Sequence, residues 1–453
     1  MNTAQTRLVW TVAVAAVLAV GFFPAQAVAQ EPTGAPEAAG AQDAAQQGQN
    51  LERLAPGFGI RAITLSGGLF SLDRPVSTSV LGQSGTARYM GVGGAGVELG
   101  WRPASRTNLA DVRYRMDQSW NSVYEDLNGM DHVFTLITTS GLGTRWRRSF
   151  SLNAESRLYS SLLFSTPVVA TEASAAAGGP SEIGTSLGDS SLGLNSPLLA
   201  SYFGSRRNAA GAGFNVSFAK SPRTSWFTAV NVNHQRAASS SSEGVSRDLL
   251  YPAVTMGTVT GGVAYAYSRD TTLGFDVEGA RSESNAFRTM SGAASGSVTH
   301  RLKNGFSVFG RGGYSLIDRL DIPGRPSRGV QASAGLTGTR GVHSVRLMGY
   351  QDRMDHFGLG NERSIGADAV WNVTGRSSPW SSSLSVGYIR INGFYASKVE
   401  GVVARGLISR RLARNVSLGF DVAYSTVAGR IPSLLPDLTQ GGARMFLTYT
   451  PQP

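Results

Sequence analysis

From residue 57 to residue 450 the chain repeats one local pattern: about ten residues of alternating apolar and polar side chains, a short break, then the alternation again. Residues 150 to 158 show it. Phe150, Leu152, Ala154 and Leu158 share one parity, while Ser151, Asn153, Glu155 and Arg157 share the other. Successive side chains of a strand point to opposite faces, so each segment has one apolar and one polar face. A soluble sandwich also alternates, but here the pattern persists through the chain with no helical domain interrupting it. The pattern predicts an all-β fold: a transmembrane, antiparallel, up-and-down β-barrel of about 18 strands, with 16 to 20 allowed, its apolar face toward lipid.

The first residues set the compartment. Arg7 precedes an apolar run from Leu8 to Phe23, and Ala27, Val28 and Ala29 supply a small-x-small cleavage site before Gln30. The run of about 16 residues is short of the roughly 20 needed to span a bilayer, so residues 1–29 read as a secretory signal peptide. Residues 30–56, rich in Ala, Gln, Gly and Pro, with Glu31, Glu37 and Asp43, offer nothing for a core and read as a disordered periplasmic tail. That tail is too short for the plug of an energy-coupled receptor. Cysteine is absent, which removes disulfides, thiolate metal sites and a catalytic thiol at once. The interstrand hydrogen bonds of a closed sheet can hold such a chain without them.

The formal net charge of +11 is almost entirely arginine, since Lys220, Lys303 and Lys398 are the only lysines. An exported protein meets no nucleic acid in its normal compartment, so that partner is set aside. Arginine forks suit phosphates at a membrane surface, and outer-membrane lipid and lipopolysaccharide are the expected anionic partners.

Breaks fall into two classes. Short ones are expected at 103–106, 147–149, 221–223, 268–271, 303–305, 339–341, 375–379 and 412–415. Longer ones are expected at 73–86, 119–130, 165–207, 238–251, 318–328, 352–360 and 428–439. Short turns on one rim and long loops on the other predict an even strand count, with both termini at the short-turn rim. Outward faces are read as Ala110, Val112, Tyr114 and Met116; Phe214, Val216 and Phe218; Val259, Val263, Tyr265 and Tyr267; and Leu273, Phe275 and Val277. Leu384, Val386 and Tyr388 continue the series, as do Val416 to Tyr424 at even numbers and Ala443, Met445, Leu447 and Tyr449. Trp101, Trp146, Trp226, Tyr267 and Trp380 sit where an interfacial girdle would. The segments at 58–70 and 397–411 have ambiguous parity.

In this pattern, residues 57–450 resemble the bacterial outer-membrane β-barrels, porin-like proteins among them. The resemblance implies a Gram-negative outer-membrane location and insertion by the barrel-assembly machinery. One departure is that Pro451, Gln452 and Pro453 follow Tyr449, where such proteins usually end on an aromatic residue.

The inward parity is polar and carries both signs. Arg113, Arg115, Glu155, Arg157, Asp276, Glu278, Arg311, Arg346, Asp368 and Asp421 are the expected wall of the lumen, with Glu98, Asp111, Asp117 and Arg444 beside them. An 18-strand barrel is too wide for side chains to fill, so an aqueous channel follows, and fixed charges on its wall set solute preference. The longest connection, 165–207, is the third long loop, which in general porins folds inward. By that resemblance Glu172, Glu182 and Asp189 would face Arg113, Arg115 and Arg157 across a constriction. The Pro-Glu-Phe-Gly-Gly motif of those loops is absent, and Gly178 to Glu182 stand in its place.

Catalysis has little to rest on. Met130-Asp131-His132 recurs as Met354-Asp355-His356, but neighbours on a strand point apart, so Asp131 cannot orient His132. His343-Ser344 lies at a short turn, and no metal-ligand spacing or phosphate-cradling loop occurs. The expected function is passive diffusion of small hydrophilic solutes, with no cofactor and no metal. The alternative is a non-channel barrel that partners an exopolysaccharide export or surface assembly system. The solute and the oligomeric state are left open by the sequence.

Overall fold

A computed structural model of the chain describes residues 57–73, 89–102, 108–122, 128–142, 145–158, 206–237, 253–284, 288–303, 305–321, 326–352, 361–374, 378–393, 398–430 and 438–451. The leader, the tail, Glu172, Glu182, Asp189 and the Met354-Asp355-His356 repeat lie outside these residues. Eighteen strands run in order: β1 (Gly57–Asp73), β2 (Tyr89–Arg102), β3 (Asn108–Asn121), β4 (Gly129–Leu142), β5 (Trp146–Leu158) and β6 (Arg206–Ser221). Next come β7 (Thr224–Ala237), β8 (Val254–Ala266), β9 (Thr271–Ser284), β10 (Arg288–Arg301), β11 (Phe306–Arg319) and β12 (Ser327–Arg340). The series ends with β13 (His343–Asp352), β14 (Asn361–Thr374), β15 (Trp380–Gly393), β16 (Lys398–Arg411), β17 (Val416–Arg430) and β18 (Leu438–Tyr449).

Each strand pairs antiparallel with its neighbours in sequence, and β1 pairs with β18 from Ile63↔Tyr449 to Asp73↔Thr439. The sheet therefore closes on itself and has no edge, so every strand finds ladder partners on both sides.

Directly opposed residues share a face, so the register propagates one parity assignment around the barrel. In β17 the outward Phe420, Val422 and Tyr424 are exposed, while Asp421, Ala423 and Ser425 are buried. All the outward residues anticipated from the sequence fall on the outer parity, Tyr267 following it just past the end of β8. The ambiguity of the first strand comes from a bulge at Arg61 between the pairs Ile60↔Leu99 and Ala62↔Glu98. Before it Phe58 and Ile60 face out, and after it Leu65 and Leu69 do, because one extra residue inverts the alternation.

The turns follow local chemistry. In the β6–β7 turn the Ser221 hydroxyl accepts from the backbone N–H groups of Arg223 and Thr224, and in the β8–β9 turn Ser268 does the same for Asp270 and Thr271. A serine closing a turn in this way costs the ladder nothing. Gly305 and Gly341 take positive φ values of 82° and 62° in two further turns, a backbone shape that side chains rarely adopt.

Three expectations need correction. Residues 147–149 are not a turn: β4 ends at Leu142 and β5 begins at Trp146, with the pair Leu142↔Trp146 closing the hairpin. Arg147 and Arg148 simply continue the alternation, and Arg148 donates from Nε to the Ser140 hydroxyl at 2.6 Å. The long-loop rim is not uniformly long either, since three residues separate β9 from β10 and four separate β15 from β16. The third correction is that the inward face is not polar throughout. Phe70, Met90, Val254, Ile317 and Tyr350 all point in and are buried, each within three residues of its strand's long-loop end. Side chains withdrawn from water at that level gain nothing from polarity.

A charged inner wall as the candidate functional site

Period two places residues i and i+2 on one face, and the inner wall uses this repeatedly. Arg113 and Asp111 pair at 2.6 Å, Arg115 reaches Asp117 at 2.6 and 3.1 Å, and Arg157 lies 3.5 Å from Glu155. These three pairs line β3 and β5. Between them, on β4, Asp131 is buried directly opposite Asp117.

Elsewhere the pairs span strands. Arg311 of β11 crosses β10 to Asp276 of β9, with Glu278 at 4.0 Å. It can do so because β10 presents only small side chains there, Ala293, Ser295 and Ser297. Gln331 of β12 crosses β11 in the same manner, over Gly313, to donate to the Ser295 hydroxyl at 2.6 Å. On β17, Asp421 is fully buried and accepts from two guanidinium groups: Arg405 at 2.9 and 2.6 Å, and Arg444 at 3.2 Å. Charge-assisted forks of this kind are the stronger class of hydrogen bond. Arg346 on β13 is the countercharge of Asp368 on β14, two residues off direct register.

All fourteen ionisable residues anticipated for the inward parity fall on it by register. The structure adds Arg405 and Asp131 to this set, together with Arg147, Arg301, Arg319, Arg411 and Asp352 near strand ends. Arg405 lies in the strand of ambiguous parity, and Asp131 was weighed only against His132. The structure does separate that pair: Asp131 faces in, whereas His132 faces out and its Nδ1 lies 2.7 Å from the Tyr114 hydroxyl. With these additions ten acids share the inward parity with eleven arginines among the described strand residues, so the wall is close to charge balance while the chain carries +11. Most of the excess basic charge lies elsewhere.

A second feature had no signal in the alternation. Four inward aromatic rings each lie over a glycine directly opposite on the next strand: Phe227 on Gly262, Phe309 on Gly335, Tyr350 on Gly366 and Phe446 on Gly419. A Cβ at any of these glycines would sit between 2.1 and 2.5 Å from a ring atom. The rings therefore lie flat against the sheet rather than across the lumen. Around Phe446 the guanidinium of Arg444 stacks at 6.0 Å, which joins this packing to the Asp421 cluster.

No family model matches the chain, and no curated protein matches it. Among solved structures, Acinetobacter baumannii OccAB4 aligns with 10% identity over 88% of this chain and 99% of that one, at a TM-score of 0.42. A BenF-like porin from Pseudomonas fluorescens Pf-5 aligns with 7% identity over 86% and 99%, also at 0.42. A bacterial polysaccharide outer membrane secretin aligns with 8% identity over 86% and 98%, at 0.33. These likenesses are remote and assign no residue of this chain a role.

Proposed function

We propose that the chain is an outer-membrane channel through which small hydrophilic solutes diffuse passively, with the short-turn rim in the periplasm and the long loops outside. The observation that carries this reading is the division of one closed 18-strand sheet into an exposed apolar outer face and an ion-paired, charged inner face. A barrel of this strand number is wider than its side chains can fill. The pairing supports an open lumen in a specific way: Arg311, Gln331 and the four aromatic rings lie along the wall, over small residues, instead of projecting to the axis. Arg113, Arg115, Glu155, Arg157, Asp276, Glu278, Arg311, Arg346, Asp368 and Asp421 are then the groups whose combined field a permeating ion meets. Glu172, Glu182 and Asp189, in the third long loop, would narrow the lumen opposite Arg113, Arg115 and Arg157. Folding would depend on the barrel-assembly machinery, with lipopolysaccharide around the long-loop rim.

Single-channel recording in planar bilayers tests the reading. Ohmic openings that persist without any energy source are the expected result. Folded, heat-modifiable protein that inserts and conducts nothing would reject it.

A further inference from the structure

The two rims of the barrel treat their arginines differently. At the long-loop rim Arg236 and Arg328 are outward and exposed with no ion pair among the described residues, but three other outward arginines are neutralised in place: Arg281 by Glu283 at 3.7 Å, Arg288 by Asp321 at 2.8 Å and Arg390 by Glu400 at 3.6 Å. At the short-turn rim they are not. Arg145, Arg223, Arg269, Lys303, Arg340 and Arg414 come from six different turns or turn-flanking positions, all are exposed, and among the described residues none makes an ion pair. The sequence of the two remaining short connections adds Arg106 and Arg376, and Asp270 is the only acid in any of the eight. Thus, among the described residues, six of the short turns or their flanks each contribute a fixed positive charge to this rim.

Directly beside these charges, on the outer face, stands a belt of tryptophans. Trp101, Trp146, Trp226, Trp371 and Trp380 all lie near short-turn strand ends and are between 43% and 50% exposed. Indole rings are most stable at the headgroup level of a bilayer, which places the basic groups at the same depth. The two are physically joined where the Arg410 guanidinium stacks 5.1 Å above the Trp380 ring.

We infer that the short-turn rim is a binding collar for anionic phospholipid headgroups of the leaflet it faces. A phosphodiester carries the charge the collar lacks, a guanidinium fork matches two of its oxygens, and basic groups near an anionic bilayer surface gain affinity additively. The inference rests on the membrane-spanning reading but not on conduction. An acidic soluble partner would need to lie below the bilayer plane; the tryptophan belt instead puts the charges among headgroups.

The test uses full-length protein in vesicles of phosphatidylethanolamine with equal trace amounts of spin-labelled phosphatidylglycerol and phosphatidylcholine. Wild type should hold the anionic label in its immobilised shell several-fold over the zwitterionic one, and the preference should fall at 0.5 M salt. A variant with Arg145, Arg223, Arg269, Lys303, Arg340 and Arg414 all replaced by Gln should lose most of it. A second variant with the five arginines replaced by Lys, Lys303 kept, should retain a preference, which separates charge from misfolding. Equal retention of both labels by wild type, or an undiminished preference in the Gln variant, overturns the proposal. So does capture of soluble polyglutamate by wild type in vesicles where no lipid preference is seen, since that points to an acidic macromolecule. Conductance measured on the same samples reports separately on the channel reading.

Discussion

The Asp421 carboxylate accepts two hydrogen bonds from Arg405, one strand away, at 2.9 and 2.6 Å. Arg444, on the strand at its other side, completes the cluster at 3.2 Å. Three adjacent strands, β16 to β18, are thereby tied on their inner face just where the chain must close onto β1. An ion cluster at this position links the closing seam to the charge pattern of the wall.

Asp421→Asn should therefore act on both. Removing one partner of a buried pair leaves the remaining charges uncompensated, at a cost of about 3 kcal/mol. The expected outcome is a lower midpoint of heat-modifiability on gels, together with a shift of reversal potential toward anion preference. A variant with wild-type stability would show that the cluster is solvated in the folded protein.

The near balance of ten acids and eleven arginines on the described inward parity predicts weak ion selectivity in spite of the net charge of +11. In a tenfold KCl gradient the reversal potential should stay close to zero. Replacing Arg311 with Glu puts three carboxylates beside one another at Asp276 and Glu278, and should turn the channel toward cations. Strong anion selectivity in the wild type would contradict the balanced wall.

The glycines under the inward rings should be intolerant of side chains. Gly419→Leu and Gly366→Leu each force a ring off the wall, because a Cβ alone would come within 2.1 and 2.3 Å of Phe446 and Tyr350 respectively. Overpacking of this kind costs about 1–3 kcal/mol. Unitary conductance should drop in each variant, and Phe446→Ala in the Gly419→Leu background should restore it. No change in conductance would mean that the rings do not border the conducting path.

If the third long loop enters the lumen, deletion of residues 171–193, which removes Glu172, Glu182 and Asp189, should raise conductance and reduce selectivity. Unchanged currents would place the loop outside the path.

His132→Ala is expected to leave conduction intact. The imidazole faces outward against Tyr114, on the opposite side of the strand from Asp131. Loss of an activity with this substitution alone would reopen the question of catalysis.

Alternation alone carried a count of about 18 strands with 16 to 20 allowed, the lipid face and most of the inward charges, because a period of two assigns every residue of a strand once one parity is known. It failed where that condition fails. At Arg61 a bulge adds a residue and inverts the parity, and in β16 Val402 and Val403 leave both faces apolar. The run Arg147-Arg148 reads as a turn because charge density resembles a break when the partner strand is unknown.

The sequence by itself pointed to a closed all-β barrel with an apolar exterior, since a closed sheet satisfies both so long an alternation and every backbone hydrogen bond. Only the tertiary structure decided which charges meet across strands. Asp421 finds Arg405 and Arg444, Arg311 reaches over β10 to Asp276, and four rings settle on four glycines, because interstrand register is a property of two segments far apart in the chain. The same register gathers basic groups from six described short turns into a collar, while at the other rim it neutralises Arg288 with Asp321. Periodicity is local and can be read along the chain, as can a pair such as Arg113 and Asp111 two residues apart; charge compensation across strands cannot.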